Sequence, residues 1–341
     1  MTPRLRAPDD HELDAAWEVV SSTLDPTPLL ATDLPTPFGD LPSWLKIETL
    51  QPTGAFKVRG ALAALRTLPP GSRAVSASAG NHALGMAWAS NETGVPVTVV
   101  TPENASAAKV AVLEAMTRRP GSQVTLTQHG LSYEEAETYA RGLTATNPDA
   151  TYVSAYSDYA VIAGQATIGR ELDKTFPPDE PLTVVTPLGG GGLASGLTRW
   201  AEPRADTHIV AVEAERSRAA STAAAAGRVV AVQVDDTMAD GLAGNLEQGS
   251  PTPTVLGQAA ADGRVAFRAV SEEELGAAIR WLFRTHGLVA EGAGAAAVAA
   301  VLAGKVSAGD PPPPGHLVVL VTGRNITAER YAQVLEAAPR L

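Results

Sequence analysis

An alternation limits what this chain can fold into more than any other feature. Short apolar, β-branched runs recur at Leu45 to Glu48, Arg73 to Ser76, Val95 to Val100, Val124 to Thr127, Leu182 to Val185, His208 to Val212 and His316 to Val321. Between them lie Ala- and Leu-rich stretches with helical spacing, at Ala55 to Leu68, His82 to Ser90, Ala107 to Met116, Tyr133 to Leu143, Ile162 to Lys174, Glu272 to Thr285 and Ala293 to Leu302. Continuous apolar runs describe strands covered on both faces, and strands separated by helices join through crossovers, which makes their sheets parallel. An α/β fold of open parallel sheets flanked by helices is therefore expected.

Such sheets bind ligands in the loops at the carboxyl ends of their strands. Two of those turns, "SASAGN" and "TPLGGGG", are richer in small residues than a turn requires, so the search for a site starts there. The stretches Thr23 to Gly39, Thr175 to Pro181, Gly249 to Pro253 and Asp310 to Gly315 are the linker candidates, the last a stiff four-proline loop before the final strand. There is no tandem repeat.

Composition removes several classes of function. The 341 residues suffice for two lobes around a cleft. A net charge of −11, without a basic run interleaved with aromatics, argues against nucleic acid. The chain has no cysteine, which excludes disulfides, thiolate metal sites and cysteine nucleophiles. The N-terminal segment is acidic where a signal peptide is apolar, and no apolar run reaches spanning length, so a cytoplasmic protein without membrane contact is expected.

Three segments carry chemistry. In "KIETLQPTGAFKVRGA", Lys46 to Ala61, a strand runs through a turn into a helix, with Lys57 on its first turn between Phe56 and Val58. A lysine on a helix is ordinarily a solvated surface residue, but in an apolar setting desolvation lowers its pKa and frees the amine to form a Schiff base. "SASAGNHALG", Ser76 to Gly85, puts Asn81 and His82 at a strand-to-helix junction whose free N–H groups suit a carboxylate. Taken alone, Asn81 is a helix cap and His82 a packed histidine. "TPLGGGGLASG", Thr186 to Gly196, offers Gly189 to Gly192 as an N–H cradle for an anion, where a Cβ would block its approach. The loop lacks the endings of nucleoside-triphosphate and dinucleotide motifs, so a phosphate on a smaller cofactor fits it better.

Together these segments resemble the fold-type II pyridoxal-5′-phosphate (PLP) enzymes, and among them the threonine/serine dehydratase and serine racemase group. Family members carry a segment close to "KxExxQxTGSFKxRGA", and here Ala55 replaces the usual serine. "TPL" (Thr27 to Leu29), "SAGNHA" (Ser78 to Ala83), "VIAGQATIGREL" (Val161 to Leu172), "GGGGL", "MADGLA" (Met238 to Ala243), "EGAGAAAVAA" (Glu291 to Ala300) and "TGRN" (Thr322 to Asn325) match in family order. The resemblance implies a tryptophan synthase β-like fold, with a large PLP-binding domain of residues 1–49 plus 150–341 and a small closing domain of 50–149. It implies a homodimer, and no appended regulatory domain.

By resemblance, Lys57 is the catalytic residue and holds PLP as a Schiff base. Phe56, Lys57, Asn81, Gly189, Gly190, Gly191, Gly192, Leu193, Glu291 and Thr322 contact the cofactor, with Asn81 at its ring hydroxyl and Thr322 at its pyridine nitrogen. Ser78, Ala79, Gly80, Asn81, His82 and Asp240 contact the substrate. The implied reaction is β-elimination from L-threonine or L-serine to a 2-oxo acid and ammonia. Another reaction of the fold, such as racemisation, hydroxyaspartate or diaminopropionate elimination or threonine synthesis, is the alternative, and a non-catalytic PLP-binding protein is the remote one.

Three further departures from the pattern matter. Ala79 stands where serine racemases carry a second serine as the opposite-face acid/base. "SAYSD" (Ser154 to Asp158) replaces the more usual "HPFDD". Eukaryotic-type racemases bind a divalent metal after the strand ending in "VE"; Val212 and Glu213 fit, but Ala219 replaces the second carboxylate, so no metal is expected.

Overall fold

The structure is a computed structural model that describes residues 3–34, 41–306 and 315–337. Two sheets organise it. The larger is built from β1 (Leu29–Thr32), β2 (Ser43–Ile47), β7 (Leu182–Pro187), β8 (Thr207–Ala214), β9 (Val265–Val270) and β10 (His316–Val321), in the order β1-β2-β10-β7-β8-β9. The smaller holds β3 (Arg73–Ala77), β4 (Val97–Thr101), β5 (Val124–Gln128) and β6 (Ala150–Tyr152), in the order β5-β4-β3-β6.

Every pairing is parallel except one. β1 runs antiparallel to β2, with Leu29 opposite Lys46. The alternation of strands with helices gave no warning of this edge, because β1 is only four residues long and pairs antiparallel with its neighbour. At the centre of the sheet the expectation of two covered faces holds, since all six residues of β7 are buried. At the edge it does not, and β5 keeps only Val124 buried.

The helix carrying Lys57 is α2 (Lys57–Arg66), which packs against α3 (Asn81–Thr93) and α6 (Tyr159–Leu172). Close approach is built in: a Cβ on Gly164 would stand 2.6 Å from the Arg59 carbonyl, and one on Gly85 3.2 Å from the Lys57 carbonyl. A buried ion cluster also pins α2. Arg59 donates to Glu48 through Nε and Nη2 at 2.8 Å each and to Glu171 at 2.6 Å, and Lys46 holds the other Glu171 oxygen. Burial opposes the charge on both Arg59 and Glu48, but their mutual attraction outweighs it, so the arginine pKa rises and the carboxyl pKa falls. The chain therefore enters the site on a helix that cannot slide.

α11 (Gly292–Leu302) is buried on nearly all sides beneath β7, β8 and β10. Its Ala and Gly content lets it lie close to the sheet, and a Cβ on Gly294 would fall 2.2 Å from the Gly323 carbonyl. The rest of the chain adds α1 (Asp10–Ser21), α4 (Ala107–Thr117), α5 (Tyr133–Ala145), α7 (Gly192–Ala201), α8 (Ala219–Ala226), α9 (Thr252–Ala261), α10 (Glu272–His286) and α12 (Ala328–Glu336). No helix among the described residues is long and apolar enough to cross a membrane. The linker segments at residues 35–39 and 310–314 lie outside the described residues.

Candidate active site

Lys57 is the first residue of α2, and its turn is tied to the end of β10. Phe56 N–H donates to the Thr322 carbonyl at 3.1 Å, and Arg324 N–H donates to the Gly54 carbonyl at 2.9 Å. Gly54 has φ +75, and a Cβ there would stand 2.7 Å from Asn325 Oδ1, so both the turn and the close contact require glycine. The Lys57 ammonium donates to the Ala155 carbonyl at 2.8 Å and lies 5.3 Å from the Phe56 ring centroid. Burial draws its pKa down to about 8. At neutral pH an appreciable fraction of the amine is therefore unprotonated and nucleophilic, unlike a surface lysine.

The loop between β3 and α3 begins at Ser78, whose Oγ accepts from Gly80 N–H at 3.2 Å and Ala83 N–H at 3.3 Å. The Asn81 and His82 N–H groups have no acceptor among the described residues, so the positive end of α3 faces a position suited to a carboxylate. Asn81 is not the cap that its position alone suggests. Its Nδ2 donates to Glu291 Oε1 at 2.6 Å, and its Oδ1 accepts from Asn325 Nδ2 at 2.7 Å. The His82 ring is 2% exposed, and burial followed by the Lys57 charge lowers its pKa to about 3, against an opposing contribution from the Val153 backbone. It is neutral at working pH and packs rather than carrying protons.

The glycine loop follows β7 and feeds α7. N–H groups from Gly191 to Leu193 are buried without an acceptor among the described residues. These are first-turn donors of a helix, and held together at a buried position they suit an anion. Ser195 Oγ, on the first turn of α7, is likewise buried and unpartnered among the described residues. The Cβ directions of the glycines do not fill the cradle as expected from sequence. A Cβ would reach Leu242 from Gly189, the Tyr156 ring from Gly190, Thr252 from Gly191 and the Tyr156 backbone from Gly192.

Glu291 and Thr322 close the other side. Thr322 is 3% exposed, and a Cβ on Gly323 would lie 2.2 Å from Glu291 Oε1 and 3.2 Å from Asn81 Nδ2, so the three segments meet there. Burial raises the Glu291 pKa to about 7, with Asp240 adding to the rise and Asn81 and Lys109 opposing it. Asp240 sits at the rim, where its carboxylate takes the Lys109 ammonium of α4 at 2.6 Å with both side chains partly exposed. Among the described residues no group of three or more His, Asp or Glu gathers to hold a metal. Glu213 instead accepts from Ala220 and Ser221 N–H at 2.9 and 3.1 Å, at the start of α8.

Glu291 makes stability depend on pH in a calculable direction. Because its folded pKa is raised, its contribution is present below the unfolded carboxyl value and is lost as pH rises through about 7. Glu291→Gln in the cofactor-free protein is expected to remove a fall of about 3 kcal/mol between about pH 4.5 and 8. Urea midpoints of both proteins across that range check it, and parallel curves would contradict it. Comparison with the variant cancels the titration of His82, whose lowered pKa acts in the opposite sense.

Residues 20–323 match the family model described as pyridoxal-phosphate dependent enzyme. The chain belongs to that family. The unpartnered N–H groups at the glycine loop and the desolvated Lys57 are what a phosphorylated aldehyde cofactor needs, so the residues present fit the cofactor on which the family depends. The chain is 36% identical over 301 residues to the L-threonine ammonia-lyase of Geobacter sulfurreducens, covering 87% of this chain and 70% of that protein. The protein of the same name from Thermotoga maritima is 38% identical over 263 residues, covering 76% of this chain and 62% of its own length, less than two thirds.

Solved structures of this PLP family give the same shape. The threonine deaminase of T.th. superposes with TM-score 0.79 at 32% identity, covering 94% of this chain and 99% of that one. Maize serine racemase superposes with TM-score 0.82 at 25% identity, covering 96% of each chain. The tryptophan synthase β-like, fold-type II architecture inferred from the motifs is thus the fold observed.

Sequence reasoning missed several residues that complete this PLP-enzyme site. Asn325, which links Asn81 to the Thr53 carbonyl, stood in the "TGRN" match and could have been named. Ala155, Tyr156 and Thr252 carried no signal beyond the unusual "SAYSD", since they reach the site through long-range packing.

Proposed function

We propose that the protein is a cytoplasmic, homodimeric PLP-dependent ammonia-lyase that eliminates the β-hydroxyl of L-threonine or L-serine to give a 2-oxo acid and ammonia. The observation that carries this reading is Lys57, a desolvated lysine with its pKa lowered to about 8, in a site that also offers free N–H groups at Asn81 and His82 and at Gly191 to Leu193. The names of its relatives supply the substrate class.

When bound, the cofactor supplies an electron sink that makes the substrate Cα proton acidic. The glycine-loop N–H groups would bind its phosphate, Asn81 its ring hydroxyl and Thr322 its ring nitrogen. A neutral threonine hydroxyl there would not keep that nitrogen protonated as a carboxylate partner would, so the ring would withdraw less charge, which favours prompt loss of the β-substituent. The N–H groups at the start of α3 would take the substrate carboxylate and orient the Cα–H bond toward Lys57. The Lys57 amine would take the Cα proton as general base, and the Ala155 carbonyl would orient the ammonium that results. The Lys109–Asp240 pair lies at the rim. The division into a domain of residues 1–49 plus 150–341 and one of 50–149 follows the separation of the two sheets except at its second boundary, because β6 (Ala150–Tyr152) pairs with β3 in the smaller sheet.

Racemisation needs a proton donor on the cofactor face opposite Lys57. Ala79, at the position where serine racemases carry that donor, has only a methyl group to offer. The test is to incubate the holoenzyme with L-threonine, L-serine, L-threo-3-hydroxyaspartate and 2,3-diaminopropionate, reading 2-oxo acid release and, by chiral chromatography, D-enantiomer at early times. We expect 2-oxo acid from threonine or serine to exceed D-product by about tenfold or more. D-serine appearing as fast as pyruvate would overturn the lyase reading in favour of a racemase.

A further inference from the structure

The segment Ser154 to Ser157, where this chain departs from the usual pattern, touches both halves of the site. Its Ala155 carbonyl takes the Lys57 ammonium at 2.8 Å. The next residue, Tyr156, lays its ring against Gly190 and its backbone against Gly192, where added Cβ atoms would fall at 2.3 and 2.7 Å. A shift of this segment would therefore move the reactive nitrogen and the anion cradle together.

One buried acid holds the segment. Ser154 Oγ donates to Glu247 Oε1, while accepting from Ser157 N–H at 3.0 Å, and Glu247 N–H donates to the Tyr156 hydroxyl at 2.9 Å. Two of the four replacements in "SAYSD" are thereby used: the Ser154 hydroxyl bonds the Glu247 carboxylate and the Tyr156 hydroxyl its main-chain N–H. The stretch that starts at Glu247 reaches the cradle by a second route, since Ser157 donates to Ser250 at 2.9 Å and Thr252 donates to the Gly190 carbonyl at 2.8 Å. The remaining carboxylate oxygen of Glu247 takes Arg141, on the helix α5 that covers the smaller sheet. Arg141 is itself fixed by Glu137 at 2.7 Å and stacks 4.1 Å over the Tyr152 ring.

We propose that Glu247 is a positioning residue: its carboxylate through Ser154, with its main-chain N–H through Tyr156, sets where the Lys57 amine and the glycine-loop donors stand, and through Arg141 the carboxylate ties that setting to the smaller sheet. The proposal rests on the reading of Lys57 and the glycine loop as the cofactor site. A carboxylate suits the task because two oxygens accept from two different layers at once, and at low exposure such charge-assisted bonds are stronger and more directional than in water.

The test uses holoenzyme carrying Glu247→Ala, Glu247→Gln, Ser154→Ala or Tyr156→Phe. Four quantities are read: the release rate of bound pyridoxal phosphate, its absorption spectrum across pH, kcat and KM for threonine, and the urea midpoint. Glu247→Ala is expected to speed cofactor release and lower kcat by about tenfold each while KM moves less than about threefold. Glu247→Gln keeps an acceptor for Ser154 and is expected to return release to within about threefold of the parent protein. A Glu247→Ala protein with a lowered urea midpoint but release and spectrum within about twofold of the parent would show a merely structural role and overturn the proposal. If that variant fails to fold, Ser154→Ala, which deletes the hydroxyl that the carboxylate holds, decides it: release faster by about threefold supports it and no change overturns it, with Tyr156→Phe, which loses only the bond to the Glu247 main chain, as the comparison. A parent protein that binds no cofactor at Lys57 would sink the site reading and this proposal together, whereas bound cofactor indifferent to Glu247 sinks this one alone.

Discussion

Lys57→Ala is expected to lower 2-oxo acid release by about 10³-fold or more, because it removes the covalent attachment point and the general base in one change. The fold should survive. Lys57 contributes one hydrogen bond, to the Ala155 carbonyl, and its charge is already disfavoured by burial, so the urea midpoint of the cofactor-free protein should move by no more than about 1 kcal/mol. The glycine-loop donors do not depend on the lysine, so the variant should still take up pyridoxal phosphate, now reversibly. Borohydride reduction followed by peptide mapping should find labelled cofactor on the 57-containing peptide of the parent protein and none in the variant. Near-normal turnover by the variant without added amine would remove Lys57 from the mechanism.

What the chain revealed before folding follows from how local each feature is. β7 and β10 were legible because central parallel strands are covered on both faces and so read as unbroken apolar runs. β9, "VAFRAV", was not, since it lies at a sheet edge and keeps Arg268 in its middle. β6 is three residues long, too short for any period to show. Helix starts shifted where a cap decided them: α6 begins at Tyr159 rather than Ile162 because the Asp158 carboxylate accepts from Ala160 N–H at 2.9 Å. α12 has no buried residue, so nothing in its pattern demanded a helix against a core.

The site divides the same way. Lys57, Asn81 and the glycine run each sit in a strand-turn-helix segment whose chemistry is written within about a dozen residues, and all of them converge in the structure. Glu247, Tyr156 and Asn325 act through contacts 91 to 272 residues away along the chain, which no local pattern encodes. The glycine loop is a mixed case. Its location was evident from sequence, but the reason it tolerates only glycine was not, because that reason is the Tyr156 ring and the Thr252 side chain packed behind it.

That packing gives the second large effect, expected at Gly190. A Cβ there would fall 2.3 Å from Tyr156 Cγ and 2.5 and 2.6 Å from its Cδ2 and Cδ1, closer than carbon atoms can approach. The ring cannot withdraw easily, since its hydroxyl accepts from Glu247 N–H and its backbone lies against Gly192. The loop must move instead, and its donors lose their common aim. With a charged acceptor worth about 1.5–3 kcal/mol per hydrogen bond, misaligning two of them weakens cofactor affinity by about 10²-fold or more. Overpacking should also cost about 1–3 kcal/mol of stability in the cofactor-free protein. Gly190 lacks the positive φ that Gly191 has, so Gly190→Ala isolates the steric clash from backbone strain. Combining Gly190→Ala with Tyr156→Ala should then recover part of the lost affinity, because the second change vacates the space the first requires, and equilibrium dialysis of the four proteins measures that coupling. Affinity within about twofold of the parent in Gly190→Ala alone would mean that the loop does not hold the phosphate.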